Sequence, residues 1–180
     1  MTRSEDAVLR ARLEMGIRDV ADFPRPGVVF KDVTPLLGDA ALFRDAVEAM
    51  SAPFRSLRLT HVVAIESRGF LFGAPVAMMV GAGVVPVRKQ GKLPHDVRRA
   101  EYELEYGADA LEIHADALDA SARVLVVDDV LATGGTARTT AQLVELLGGV
   151  VVGFSFLIEL AFLNGRIGLA PAPVAAVLRY

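Results

Sequence analysis

Arg123-Val124-Leu125-Val126-Val127-Asp128-Asp129-Val130-Leu131-Ala132-Thr133-Gly134-Gly135-Thr136 decides the reading of this 180-residue chain. Val124 to Val127 is an unbroken aliphatic run, the pattern of a strand buried on both faces. Two carboxylates follow, then a Thr-Gly-Gly-Thr turn. From Ala137 to Leu147, Ala141, Leu143, Val144 and Leu147 recur at helical spacing. Strand, acidic pair, glycine turn and helix together predict a phosphate-binding βα unit. Gly134 and Gly135 let backbone N–H groups converge on an anion at the helix start, and Thr133 and Thr136 add hydroxyls. Asp128 and Asp129 would repel a phosphate, so something neutral or positive must lie between, and ribose hydroxyls or a hydrated Mg²⁺ would both fit. The ending is not Gly-Lys-Ser/Thr and no Gly-x-Gly-x-x-Gly is present, so neither an ATP-type phosphate loop nor a dinucleotide fold is implied.

Moving towards the N-terminus, His61 to Ile65 is a second buried-strand pattern, and Glu66-Ser67-Arg68-Gly69 repeats the polar turn ahead of a helix over Phe70 to Val80. An arginine in such a turn suits bidentate phosphate contact. Val84 to Val87 is a further strand, leading into the basic run Arg88 to Arg99, which predicts a mobile flap over an anionic substrate. The run Glu101 to Gly107 alternates acid with bulky residue, and Leu111 to His114 alternates as a partner for it. Ser4 is expected to cap a first helix, and Asp39 a helix through about Phe54. Between them Phe23 to Asp32 forms an extended arm, because Pro24 and Pro26 forbid helix. A strand there, with Phe30 beside free backbone groups, suits a planar heterocycle as well as a core position. Val150 to Ile158 and Val174 to Leu178 complete an α/β domain with a largely parallel sheet, whose ligand edge holds both polar turns.

Composition narrows the partners. Net charge is −3, which gives no case for nucleic-acid binding. No cysteine is present, which removes disulfides and thiol chemistry and agrees with a reducing cytoplasm. Gly69 to Val87 is uncharged, but Pro75, Pro86 and its glycines divide it into helix, turn and strand, so no membrane span is expected. The start Met1 to Asp6 lacks the apolar stretch of a signal peptide. A hydrophobic content of 53% is high for one domain and predicts a homodimer that hides part of it. His61, His95 and His114 have no metal-ligand spacing.

Residues 123–136 resemble the phosphoribosyl-diphosphate (PRPP) motif of type I phosphoribosyltransferases. From Asp22 onward the chain is similar to the adenine branch of that family. The likeness rests on Asp22-Phe23-Pro24, Pro26 to Asp32, Glu66 to Gly73, Arg88 to Pro94 and Leu104-Glu105-Tyr106-Gly107. The resemblance implies a type I phosphoribosyltransferase fold over residues 1–180. A largely parallel twisted sheet would be flanked by helices, with a small hood, an N-terminal helix and base-binding arm (1–35) and a mobile flap (88–107). The implied chemistry is adenine plus PRPP giving AMP plus pyrophosphate, with Mg²⁺ carried by PRPP near Asp128 and Asp129 and not ligated directly by the protein.

Carried over residue by residue, Ala132, Thr133, Gly134, Gly135 and Thr136 would hold the 5′-phosphate, and Asp128 and Asp129 the ribose hydroxyls. Glu66, Ser67, Arg68, Arg88, Lys89 and Lys92 would serve the pyrophosphate, with Arg68 and Lys92 as catalytic cations, and some of these cations could come from the partner subunit. Val29, Phe30, Lys31 and Val130 would seat adenine, and Glu105 would take its N9 proton. Alternation alone does not choose among Glu101, Glu103 and Glu105. The peptide matching Glu66–Ser67 is often cis in this family. Lys31 and Gln90 depart from the more basic residues of relatives. A sister transferase for another nucleobase, or a PRPP-sensing regulator, would share the motif; the segment ahead of the Val29 arm is too short for a DNA-binding winged helix.

Overall fold

The computed structural model describes residues 3–103 and 108–180, and within it the chain forms two compact units, Met1–Ala49 and Met50–Tyr180. In the first, α1 (Arg3–Met15) precedes a two-stranded antiparallel sheet, β1 (Arg18–Ala21) with β2 (Val29–Asp32), in the register Val20↔Phe30 and Asp19↔Lys31. Ser4 lies inside α1 and not at its N-cap, since the helix already includes Arg3. The connection between the strands turns through Asp22, whose carboxylate accepts a 2.7 Å bond from Gly27 N–H, and through a cis Phe23–Pro24 peptide. Helix α2 (Thr34–Gly38) follows, started by Pro35 in its first turn. Asp39 caps α3 (Ala40–Ser51) as expected, its Oδ1 accepting from Ala41 and Leu42 N–H at 2.8 and 3.0 Å.

The second unit is built on a seven-stranded sheet in the order β5-β6-β4-β3-β7-β8-β9. The strands are β3 (His61–Ile65), β4 (Gly83–Lys89), β5 (Val97–Glu103), β6 (Ala108–His114), β7 (Arg123–Leu131), β8 (Val150–Glu159) and β9 (Val174–Arg179). Five of them, β4-β3-β7-β8-β9, are parallel, and the β5–β6 hairpin is antiparallel and joins β4 through Arg88↔Glu112. The mixed α/β architecture with a mostly parallel sheet is the one the sequence predicts. Helix α4 (Gly69–Val80) connects β3 to β4, and α5 (Gly135–Leu146) connects β7 to β8. These helices explain why β3 and β7 read as unbroken apolar runs: Val62 to Ile65 and Val124 to Val127 are all at most 1% exposed, covered on both faces. Gly81, with φ of 70°, ends α4 and splits the uncharged stretch into helix and strand. Among the described residues no helix is long and apolar enough to cross a membrane.

Candidate active site

Strands β3 and β7 are parallel neighbours, so their carboxyl ends deliver the two polar turns to one place. A Cβ on Gly69 would lie 2.7 Å from Asp128 Oδ1, which measures how closely the turns abut. The Glu66–Ser67 peptide between them is cis. Arg68, at the start of α4, donates from Nε to Asp129 Oδ2. Asp129 and Asp128 are both buried, at 4% and 9% exposure. Burial, and then the charge on Asp129, push the Asp128 carboxyl well above the usual carboxylate range. Asp128 Oδ1 accepts the Asp129 N–H at 2.9 Å.

Beyond Leu131 the chain turns at Gly134, whose φ of 79° is left-handed, and enters α5. Arg138 N–H closes the first helical turn on Gly134 O at 2.9 Å. No side chain caps this end, so the N–H groups at the start of α5 are offered to an external anion. Thr133 is exposed, and Ala132, Gly135 and Thr136 are half-buried, so the loop forms the lip of a site and not part of the core.

The basic residues converge on the same edge, but each is held by a carboxylate. Glu66 is the hub. Its Oε2 accepts from Lys89 N–H at 3.0 Å and Arg88 Nε at 3.3 Å, and its Oε1 from Lys92 Nζ. Burial raises the Glu66 carboxyl, yet the bonds from Lys92 and Lys89 N–H and the Arg88 charge outweigh it, leaving it below the usual range. Arg88 also donates to Lys92 O at 2.9 Å, tying the turn after β4 to the strand. Lys89 Nζ pairs with Asp109 at 3.1 Å. The Tyr102 hydroxyl donates to that same carboxylate at 3.1 Å. Burial, and then Asp109, push the Tyr102 hydroxyl up to about 12. The Tyr102 ring lies 3.8 Å from where a Cβ on Gly135 would sit, so the β5–β6 hairpin reaches the 132–136 loop.

The structure therefore brings together Glu66, Ser67, Arg68, Arg88, Lys89, Lys92, Asp128, Asp129 and the 132–136 loop, with Val130 half-buried at the end of β7. Val29, Phe30 and Lys31 belong to β2 in the first unit, where Phe23 meets the Phe30 ring edge-on at 5.1 Å and Lys31 pairs with Asp19 at 2.6 Å. Glu105 lies outside the described residues. Glu101, an alternative to it, is exposed and paired with Arg99 at 2.9 Å. Tyr102, Asp109 and Gly165 escaped the sequence reading. Tyr102 lay in an alternating run read only as a hairpin arm, and Asp109 fell between that run and its partner. Gly165 gave no local signal, yet a Cβ on it would lie 2.8 Å from Gly134 N and 2.9 Å from Thr133 C.

The model of the phosphoribosyl transferase domain matches residues 41–161. The chain belongs to that family. The adenine phosphoribosyltransferase of Myxococcus xanthus (strain DK1622) is 55% identical over 175 residues, covering 97% of this chain and 95% of the relative. The crystal structure of the Rhodothermus marinus adenine phosphoribosyltransferase superposes with a TM-score of 0.92 at 52% identity, over 97% of this chain and 99% of that one. The Saccharomyces cerevisiae adenine phosphoribosyltransferase, solved with an imino-altritol bisphosphate and adenine, gives 0.89 at 38% identity, over 95% and 99%. Within the family, this chain falls among the adenine phosphoribosyltransferases.

Proposed function

We propose that this chain transfers the phosphoribosyl group of PRPP to adenine, giving AMP and pyrophosphate, a purine-salvage reaction. The observation that carries the reading is the junction at the carboxyl ends of β3 and β7. An uncapped helix start, a buried acidic pair and a cluster of cations meet there. The loop Ala132 to Thr136 holds the 5′-phosphate through its N–H groups and hydroxyls, and Asp128 and Asp129 accept the ribose hydroxyls. Arg68, Arg88, Lys89 and Lys92 exchange their carboxylate partners for the pyrophosphate as it leaves. Adenine N9 bonds to C1′ as the C1′–O bond to pyrophosphate breaks, through an oxocarbenium-like state, and Glu105 takes the N9 proton. For the base, the contacts proposed are Phe30, the backbone of Val29 and Lys31 on the arm, and Val130 at the end of β7. Val29 is 52% exposed and available for this.

Among the described residues no three potential ligands cluster for a metal. Two adjacent carboxylates, one of them occupied by Arg68, suit a hydrated Mg²⁺ carried on PRPP oxygens better than a protein cage, and it would spread the charge of the leaving group. With PRPP and Mg²⁺ supplied, adenine is expected to outcompete hypoxanthine, guanine and orotate by about 100-fold or more in product formed, since a polar base-recognition site rejects mismatched donors strongly. Absence of AMP among the products would overturn the reading.

A homodimer, in a reducing cytoplasm that the lack of cysteine suits, completes the proposal. Helix α4 is apolar throughout yet leaves Leu71 49%, Met78 84% and Met79 40% exposed, with Leu71 and Met78 two turns apart on one face. Met78→Glu is expected to shift the sedimentation mass from dimer towards monomer. An unchanged mass would place the interface elsewhere.

A further inference from the structure

We propose that Glu159 and Arg166 are positioning residues for the loop 132–136, acting through Gly165. This rests on the reading of that loop as the 5′-phosphate site. Strand β8 ends at Glu159, whose side chain is only 4% exposed. Arg166 grips it with two bonds, Nε to Oε1 at 3.0 Å and Nη2 to Oε2 at 2.5 Å, and spends its remaining nitrogen on Val174 O at 2.6 Å. Arg179 of β9 adds a contact to Oε2 at 3.1 Å. A planar guanidinium held at three points restrains its own residue and, through the backbone, the residue before it.

That residue is Gly165, and its backbone is packed against the loop. A Cβ on Gly165 would strike Ala132 O as well as Gly134 N, and a Cβ on Gly134 would strike Gly165 O. Leu160 N–H donates to Leu131 O at 2.9 Å, holding the residue just ahead of the loop. The loop is thus pinned at its entry by β8 and supported from behind by the 165 turn. Hydrogen bonds from Arg166 hold the Glu159 carboxyl below the usual range despite its burial, so the brace stays charged at neutral pH. A site made of backbone N–H groups has no side chain to re-aim it, so its geometry depends on what holds the backbone.

Steady-state kinetics on the full-length protein, with calorimetric binding of ribose 5-phosphate as a probe that needs no turnover, test this. Arg166→Ala and Glu159→Gln are expected to raise KM for PRPP about 10-fold and to weaken ribose 5-phosphate by a similar factor, with KM for adenine within about twofold. Arg166→Lys should recover part of the loss. Gly165→Ala keeps the ion pair and puts a methyl against Ala132 O, so it should give the same split even if Arg166→Ala fails to fold. Ser155→Ala, which removes a buried bond from the same strand to Met50 O at 2.8 Å, serves as a packing control and should lower Tm without moving KM for PRPP. Flat PRPP constants in Arg166→Ala and Gly165→Ala, or an equal rise for adenine, would overturn the inference while leaving the reaction intact. A wild-type protein that neither makes AMP nor binds ribose 5-phosphate would instead overturn the reading beneath it.

Discussion

Asp128→Asn is expected to make the ligand-free protein more stable and the enzyme roughly 100-fold worse in kcat/KM for PRPP. Both effects follow from the same burial. Asp128 is packed beside Asp129, and its ionised form is disfavoured first by burial and then by that neighbour, with Arg68 only partly compensating. Asparagine keeps a carbonyl oxygen to accept the Asp129 N–H but carries no charge. Relief of an imperfectly compensated buried polar group is worth about 1–2 kcal/mol, or a Tm rise of about 3–6 °C for a chain of this size. The pH dependence has a definite sign. A carboxyl whose folded pKa is raised binds more protons in the native than in the unfolded state between the two values, so wild-type stability falls as pH rises through that window. The advantage of Asp128→Asn should therefore vanish below about pH 4 and grow towards neutrality. Catalysis moves the other way, because a hydrogen bond from a ribose hydroxyl to a carboxylate is worth about 2–3 kcal/mol. Thermal melts from pH 4 to 8 and PRPP kinetics on one preparation check both halves. A variant less stable at neutral pH would show that the charge is well paired after all.

Glu105→Gln is the second large effect, with kcat expected to fall by about 100-fold or more, the scale of a lost general base, and KM for PRPP to stay within about twofold. Initial rates at saturating PRPP across pH measure it, and a loss of the acidic limb of the kcat profile would identify the proton carrier. Parallel Glu101→Gln and Glu103→Gln variants resolve the choice the alternation leaves open. The Glu101 side chain, exposed and paired with Arg99, is expected to be dispensable. Unaffected turnover in Glu105→Gln would remove it from the chemistry.

The parallel sheet was legible wherever burial on both faces forced consecutive apolar residues, as in Val62 to Ile65, Val124 to Val127 and Phe156 to Ile158. The polar turns after the first two were legible for the opposite reason, since nothing apolar can stand where a strand opens onto a ligand edge. Short exposed elements were not. Strand β1 is Arg-Asp-Val-Ala, mostly solvent-facing and defined only by pairing with β2, and α2 is a single Pro-started turn. Strand β5 begins at Val97 and not Glu101 because its charged edge masks the alternation, so only residues 90–96 of the basic run lie between strands. The candidate site was legible as a list of residues but not as a circuit. Glu66 read as one more pyrophosphate contact, and its carboxylate also holds Arg88, Lys89 N–H and Lys92. Gly165 could not be found, because close approach of two backbone segments leaves no periodic trace.

The pairing of Arg68, Arg88, Lys89 and Lys92 with Asp129, Glu66 and Asp109 makes the resting site nearly neutral in spite of its many cations. A lone phosphate or chloride can displace one carboxylate and gains little, since each exchange of partners is close to even in free energy. A diphosphate presents enough oxygens to displace several at once and, on the proposed reading of the loop, would be fixed to a sugar seated there. Built-in counter-ions of this kind turn a basic cluster from a general anion trap into a discriminator for a tethered polyanion.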